Sequence, residues 1–96
     1  MSVPLNEART ATVTSVASSA SSVNLLDAER GRVGASIFNK SNSRLYIKFG
    51  TTASASDFSV MLEPYALYEL PDYYRNGRVD GIWTSVHGAA LVTEVV

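Results

Sequence analysis

The one histidine of the chain, His87, is flanked by Ser85 and Gly88, a grouping that invites the question of nucleophilic catalysis. A hydrolytic triad needs a nucleophile, a base and an orienting acid brought together. His87 falls in a short connection between two strand-like runs, where a turn histidine is the plainer reading. Metal chemistry meets a similar obstacle: with one His and no Cys, only carboxylates remain as ligands, and they are not clustered at ligand spacing. Glu63, Glu69, Asp72 and Asp80 could in principle pair for glycoside hydrolysis. Each of them stands beside a strand end, where solvated charge is expected. There is no glycine-rich phosphate loop. The expectation is a chain that is not an enzyme, with no catalytic, cofactor-binding or metal-binding residues.

Recognition chemistry is better represented. Tyr65, Tyr68, Tyr73 and Tyr74 gather around Pro64 and Pro71, with Trp83 on the strand that follows. A small domain needs large side chains in its interior, and Trp83 is the first choice for that role. Tyr73 and Tyr74 are adjacent, so in extended chain they point to opposite sides and at least one is exposed. An exposed tyrosine beside Arg75 has the composition of an interface hot spot. The expected contact residues are Tyr65, Tyr73, Tyr74 and Arg75, joined by Val3, Pro4 and Leu5 of an N-terminal arm.

Composition narrows the partners. The 96 residues suit one hydrophobic core. Charged residues make up only 18%, below the usual quarter, and Ser, Thr and Ala take their place. A surface of small neutral residues repels other proteins weakly, although Ser and Thr also simply suit exposed strand positions. The net charge of −1 leaves the basic residues scattered among acids, which argues against a nucleic-acid ligand. Lys40, Arg44 and Lys48 come nearest to a basic patch and read as the solvated edge of a hairpin. Without Cys there is no disulfide framework. No run approaches the roughly 18 apolar residues of a membrane helix, and no leader is evident, so the expectation is a cytoplasmic chain with no membrane partner.

The elements that must position these residues are strands. Residues 1–9 show no period and read as the arm; residues 10–96 read as a single β-sandwich domain. Thr10 to Ala17 alternates Ala11, Val13, Ser15 and Ala17 on one face with Thr10, Thr12, Thr14 and Val16 on the other. Val23 to Leu26 is a second short strand, followed by a turn through Asp27 to Gly31. Val33 to Asn39 and Arg44 to Phe49, joined by four polar residues, are expected to pair as a hairpin. Val33, Ala35 and Ile37 would face inward with Leu45, Ile47 and Phe49. Phe58, Val60 and Leu62 alternate before Pro64, Leu67 to Leu70 precedes Pro71, and Arg78 to Thr84 with Ala89 to Val95 form a last expected hairpin. The fold class is all-β: a small antiparallel β-sandwich, or a jelly-roll-like or Ig-like barrel, of about seven or eight short strands.

The order I-F-N at 37–39, L-Y-I-K-F-G at 45–50, F-S-V-M-L at 58–62 and V-D-G-I-W at 79–83, after a Ser-rich lead-in, resembles small virion proteins of tailed bacteriophages. The resemblance spans Thr14 to Val95. It implies a structural protein of the particle, a capsid decoration or cement protein or else a neck, tail or fibre component. The implied partners are the major capsid protein or other virion proteins. The implied location is the virion, assembled in the host cytoplasm. A small core gains stability by burying more surface, which favours a homo-oligomer. A rival expectation is a carbohydrate-binding module using Tyr73, Tyr74 and Trp83.

Overall fold

The structure is a computed structural model and describes residues 9–96. Eight strands form two four-stranded antiparallel sheets packed face to face: β1 (Ala11–Ala17), β2 (Val23–Leu26), β3 (Gly34–Lys40), β4 (Leu45–Phe49), β5 (Val60–Leu62), β6 (Leu67–Glu69), β7 (Val79–Trp83) and β8 (Ala89–Val95). One sheet has the order β1-β8-β3-β6 and the other β2-β7-β4-β5. Every connection except β4 to β5 therefore carries the chain from one sheet to the other. Of the wirings open to a sequence of short strands, this is the jelly roll, and it differs from the immunoglobulin order.

Alternation explains the layering. Ala35 and Ile37 of β3, Ala90 and Val92 of β8, Leu45 and Ile47 of β4, and Val79 and Trp83 of β7 all point between the sheets. Leu25, Leu26, Leu62 and Leu70 complete this core, and each fully buried Leu or Ile there stabilises the fold by about 1.5–3 kcal/mol. Trp83 is 2% exposed, as its size led us to expect. Val33 lies outside β3 and is exposed, and Phe58 lies outside β5 and is likewise exposed.

Both expected hairpins are corrected. β3 and β4 belong to different sheets, as do β7 and β8, so each short connection is an arch over the core. The physical reason is that each of these strands carries an apolar face, and an arch lays the two faces against each other across the interior. Asn39, fully buried, holds the first arch. Its Nδ2 donates to the carbonyls of Ser43 (2.8 Å), Leu62 (3.2 Å) and Glu63 (3.1 Å), and its Oδ1 accepts from Ser41 Oγ and Trp83 Nε1. The second arch packs on the first: Ser43 Oγ donates to the Ser85 carbonyl, and Gly88, at φ 79°, approaches the Lys40 carbonyl so closely that a Cβ would stand 2.3 Å from it.

At the opposite end, Arg32 is 2% exposed and ties two connections, β2 to β3 and β6 to β7, to strand β8. Its Nε donates to Glu94 Oε2 at 2.9 Å, its Nη1 to the carbonyls of Arg75 and Gly77, and its Nη2 to that of Asp27. A buried guanidinium survives here because its charge and its donors are met.

Candidate interaction surface

Tyr73 and Tyr74 sit in a 3-10 turn, Asp72–Tyr74, opened by Pro71. The turn sends the two rings to different fates. Tyr74 stacks on Phe49 with centroids 4.6 Å apart and planes at 13°, its hydroxyl donates to the Arg78 carbonyl, and its ring covers Gly77, where a Cβ would come within 2.3 Å of the ring. Tyr74 thus closes the end of the sandwich. Tyr73 meets Phe49 only edge-on, with centroids 6.4 Å apart, and is 83% exposed. Arg75 is exposed and bonds Asp72 Oδ1 at 2.9 Å. Tyr65 stands apart from them, at the end marked by the first arch. It has φ 60°, its hydroxyl donates to Asn42 Oδ1, and its ring tilts toward Phe38 at 6.4 Å. Val3, Pro4 and Leu5 lie outside the described residues.

These positions make sense together only on the outer face of the β1 sheet. Residues directly opposite in register share a face, which sets Val13 beside Thr93 and Ser36, and Ser15 beside Leu91, Phe38 and Leu67. Val13 and Leu67 are each more than 60% exposed. Glu69 and Lys40 are the only charged strand residues on this face. At one end a shallow depression of about 440 Å³ is floored by Gly34, Ser36 and Thr93 and walled by Glu69, Asp72 and Arg75. At the other end stands Tyr65. The structure therefore brings Tyr65 and Arg75 to opposite ends of one nearly uncharged sheet surface.

The outer face of the β2 sheet is unlike it. The chain between β4 and β5 folds back over this face: Tyr46 packs on Phe58 at 4.7 Å, Lys48 is ion-paired with Asp57, and the backbone of Ala53 donates to Ser22 Oγ. Asp80 is buried beneath it and accepts from Arg78 Nε at 2.9 Å. Arg44 and Glu63 face each other at 3.4 Å, and the Glu63 carboxylate holds the Arg44 guanidinium above its ordinary pKa. The Lys40, Arg44 and Lys48 grouping is thus no patch, because two of its members are paired with acids.

The sequence reading missed Val13, Phe38, Leu67 and Leu91 as surface contacts. A signal for them exists in β8, where Glu94 lies on the inward side and pairs with Arg32 while Leu91 and Val95 lie on the outward side. A strand whose charge faces in and whose apolar residues face out announces an outer face that is not ordinary solvent surface.

The residues weighed for chemistry remain separate. His87 is exposed on the second arch. Glu63, Asp72 and Asp80 each face an arginine rather than another carboxylate. Among the described residues no group of three or more His, Asp or Glu stands close enough to hold a metal ion. Comparison with known proteins returns no matching family model, no matching curated sequence and no matching solved structure.

Proposed function

We propose that this chain is a structural protein of a bacteriophage particle that docks on a protein shell through the outer face of its β1 sheet, most simply as a capsid decoration or cement protein. The observation that carries the docking part is the nearly uncharged surface formed by exposed Val13 and Leu67 with half-buried Phe38 and Leu91 between them, set against a second sheet whose outer face is covered by its own chain. Apolar surface rimmed by a few polar groups is the composition of a protein contact. The phage setting rests on the sequence resemblance. The jelly-roll wiring occurs in capsid and lectin domains alike and so favours neither over the other.

The test is quantitative mass spectrometry of purified particles that carry the protein. A decoration role expects a copy number proportional to that of the main shell subunit, and a fall in occupancy of at least about tenfold for Leu67→Glu. Gly34→Lys tests the depression, because a Cβ at Gly34 meets nothing within 4 Å, and it is expected to lower occupancy as Leu67→Glu does. A handful of copies indicates a neck, tail or fibre component instead, and absence from particles overturns the proposal.

A second reading, glycan binding, has one observation in its favour, the 83% exposure of Tyr73 beside Arg75. Burial removes Trp83 from that site, and packing removes Tyr74. Binding on a glycan array that disappears with Tyr73→Ala supports this reading, and silence across the array ends it.

A further inference from the structure

Among the described residues, the outer edge of β1 is the one sheet edge that carries no device against pairing. Exposed edges are normally blunted by shortness, proline, charge or a bulge. β6 has three residues and lies between Pro64 and Pro71; β5 has three and runs into Glu63 and Pro64; β2 has four and breaks register between Asn24 and Leu26. β1 has seven residues, ATVTSVA, with no proline and no charge, in unbroken register with β8. Which groups it leaves free follows from the ladder. Thr10 and Val96 exchange both backbone hydrogen bonds, and in an antiparallel pair these exchanges recur at every second residue. The even-numbered residues of β1 therefore bond β8, while Ala11, Val13, Ser15 and Ala17 turn their N–H and C=O groups toward the open edge.

We infer that this edge pairs with the same edge of a second copy of the chain, antiparallel, about a two-fold axis at Thr14. This inference is independent of the proposed shell-binding role. The sequence of β1 is nearly its own reverse in size and polarity: in that register Ala11 meets Ala17, Thr12 meets Val16, Val13 meets Ser15, and Thr14 meets its counterpart. No like charges oppose, every free donor and acceptor finds a partner, and only the register centred on Thr14 uses all seven residues. Thr14 then lies in a non-hydrogen-bonded pair, with Cα atoms about 4.5 Å apart, and cross-strand Thr pairs are favourable. A two-fold contact uses the same edge on both copies and so consumes both, and because the remaining edges are blunted, association stops at two.

The test needs no ligand and uses the protein alone: analytical ultracentrifugation across a concentration series gives the dimer constant. Ser15→Pro removes an N–H that faces the open edge and none that bonds β8. It is expected to weaken the dimer by about a hundredfold, with the emission of buried Trp83 unchanged. Val13→Lys serves as the second disrupting variant should Ser15→Pro disturb the fold. Thr14→Cys, in a chain with no other cysteine, is expected to form a disulfide-linked dimer on oxidation, whereas Thr12→Cys is not. A wild-type monomer overturns the inference. Slow hydrogen exchange at Val13 and Ser15 in such a monomer assigns the edge to the chain's own N-terminal segment, and fast exchange leaves it bare. A dimer that survives both Ser15→Pro and Val13→Lys overturns the inference equally.

Discussion

Asn39 and Arg32 do for the two ends of the sandwich what larger proteins do with longer loops. Each is a polar side chain buried almost completely, and each satisfies carbonyls at strand ends and in the connections between strands. Removing such a group leaves several acceptors buried without donors, at about 1–3 kcal/mol each where water cannot enter. Asn39→Ala is expected to lower the unfolding free energy by about 3 kcal/mol, read from urea denaturation, and Asn39→Asp to rescue little of it, because a carboxylate cannot donate to three carbonyls. Arg32→Lys is expected to cost at least about 2 kcal/mol, since a compact ammonium cannot span Glu94 and three separated carbonyls. The tyrosine pair gives a sharper contrast. Tyr73→Ala is expected to change stability by less than about 0.5 kcal/mol, while Tyr74→Ala, which strips the cover from Phe49 and Gly77, is expected to cost about 2 kcal/mol. Trp83 could be assigned to the core from its sequence alone, because a small domain has few ways to fill its interior. Arg32 could not, because nothing in its neighbours Gly31 and Val33 reveals that two connections and β8 converge on it.

At the scale of elements, strand positions were legible and strand partners were not. Val23–Leu26 and Ala89–Val95 fall where alternation and flanking turn residues put them, and the other six strands shift by a residue or two at their ends. Pairing was misread at both short connections because a hairpin and an arch accept the same short polar linker. The choice between them depends on which apolar face is offered to which, and that is decided by the whole set of strands. The same limit applies to the candidate surface: its tyrosines and Arg75 stood out by type, whereas Val13, Leu67 and Leu91 became a surface only once the order β1-β8-β3-β6 had placed them in adjacent rows. The arch geometry makes its own prediction. Gly88→Ala puts a Cβ against the Lys40 carbonyl at a positive φ, and is expected to destabilise by about 2 kcal/mol or more in thermal or urea unfolding.

For the whole molecule, two consequences are open to measurement. Burial raises the pKa of the Tyr68 hydroxyl above its ordinary value of 10.0, and the neighbouring Tyr73 raises it further. The folded protein then holds that proton more tightly than the unfolded chain. The resulting stabilisation is fully present below about pH 10 and is lost as pH rises through the folded-state value. Denaturation midpoints between about pH 8 and 11 are expected to fall less steeply for Tyr68→Phe than for the native chain. The second consequence belongs to the wiring. Among the described residues the sole partner of β1 is β8, with Ala11 opposite Val95, so β1 cannot be laid down until β8 exists. A chain ending at Ser85 is expected to remain unfolded, with the fluorescence of Trp83 reporting a solvated indole. During synthesis, at about 5–20 residues per second, the segment ATVTSVA then waits roughly 4–15 s for its partner to emerge. A strand rich in large apolar residues would aggregate over that interval. The threonines, serine and alanines of β1 bury almost nothing in the finished fold, and their value is best measured in the time before it is finished: they keep a β-prone segment wet while it waits on the ribosome.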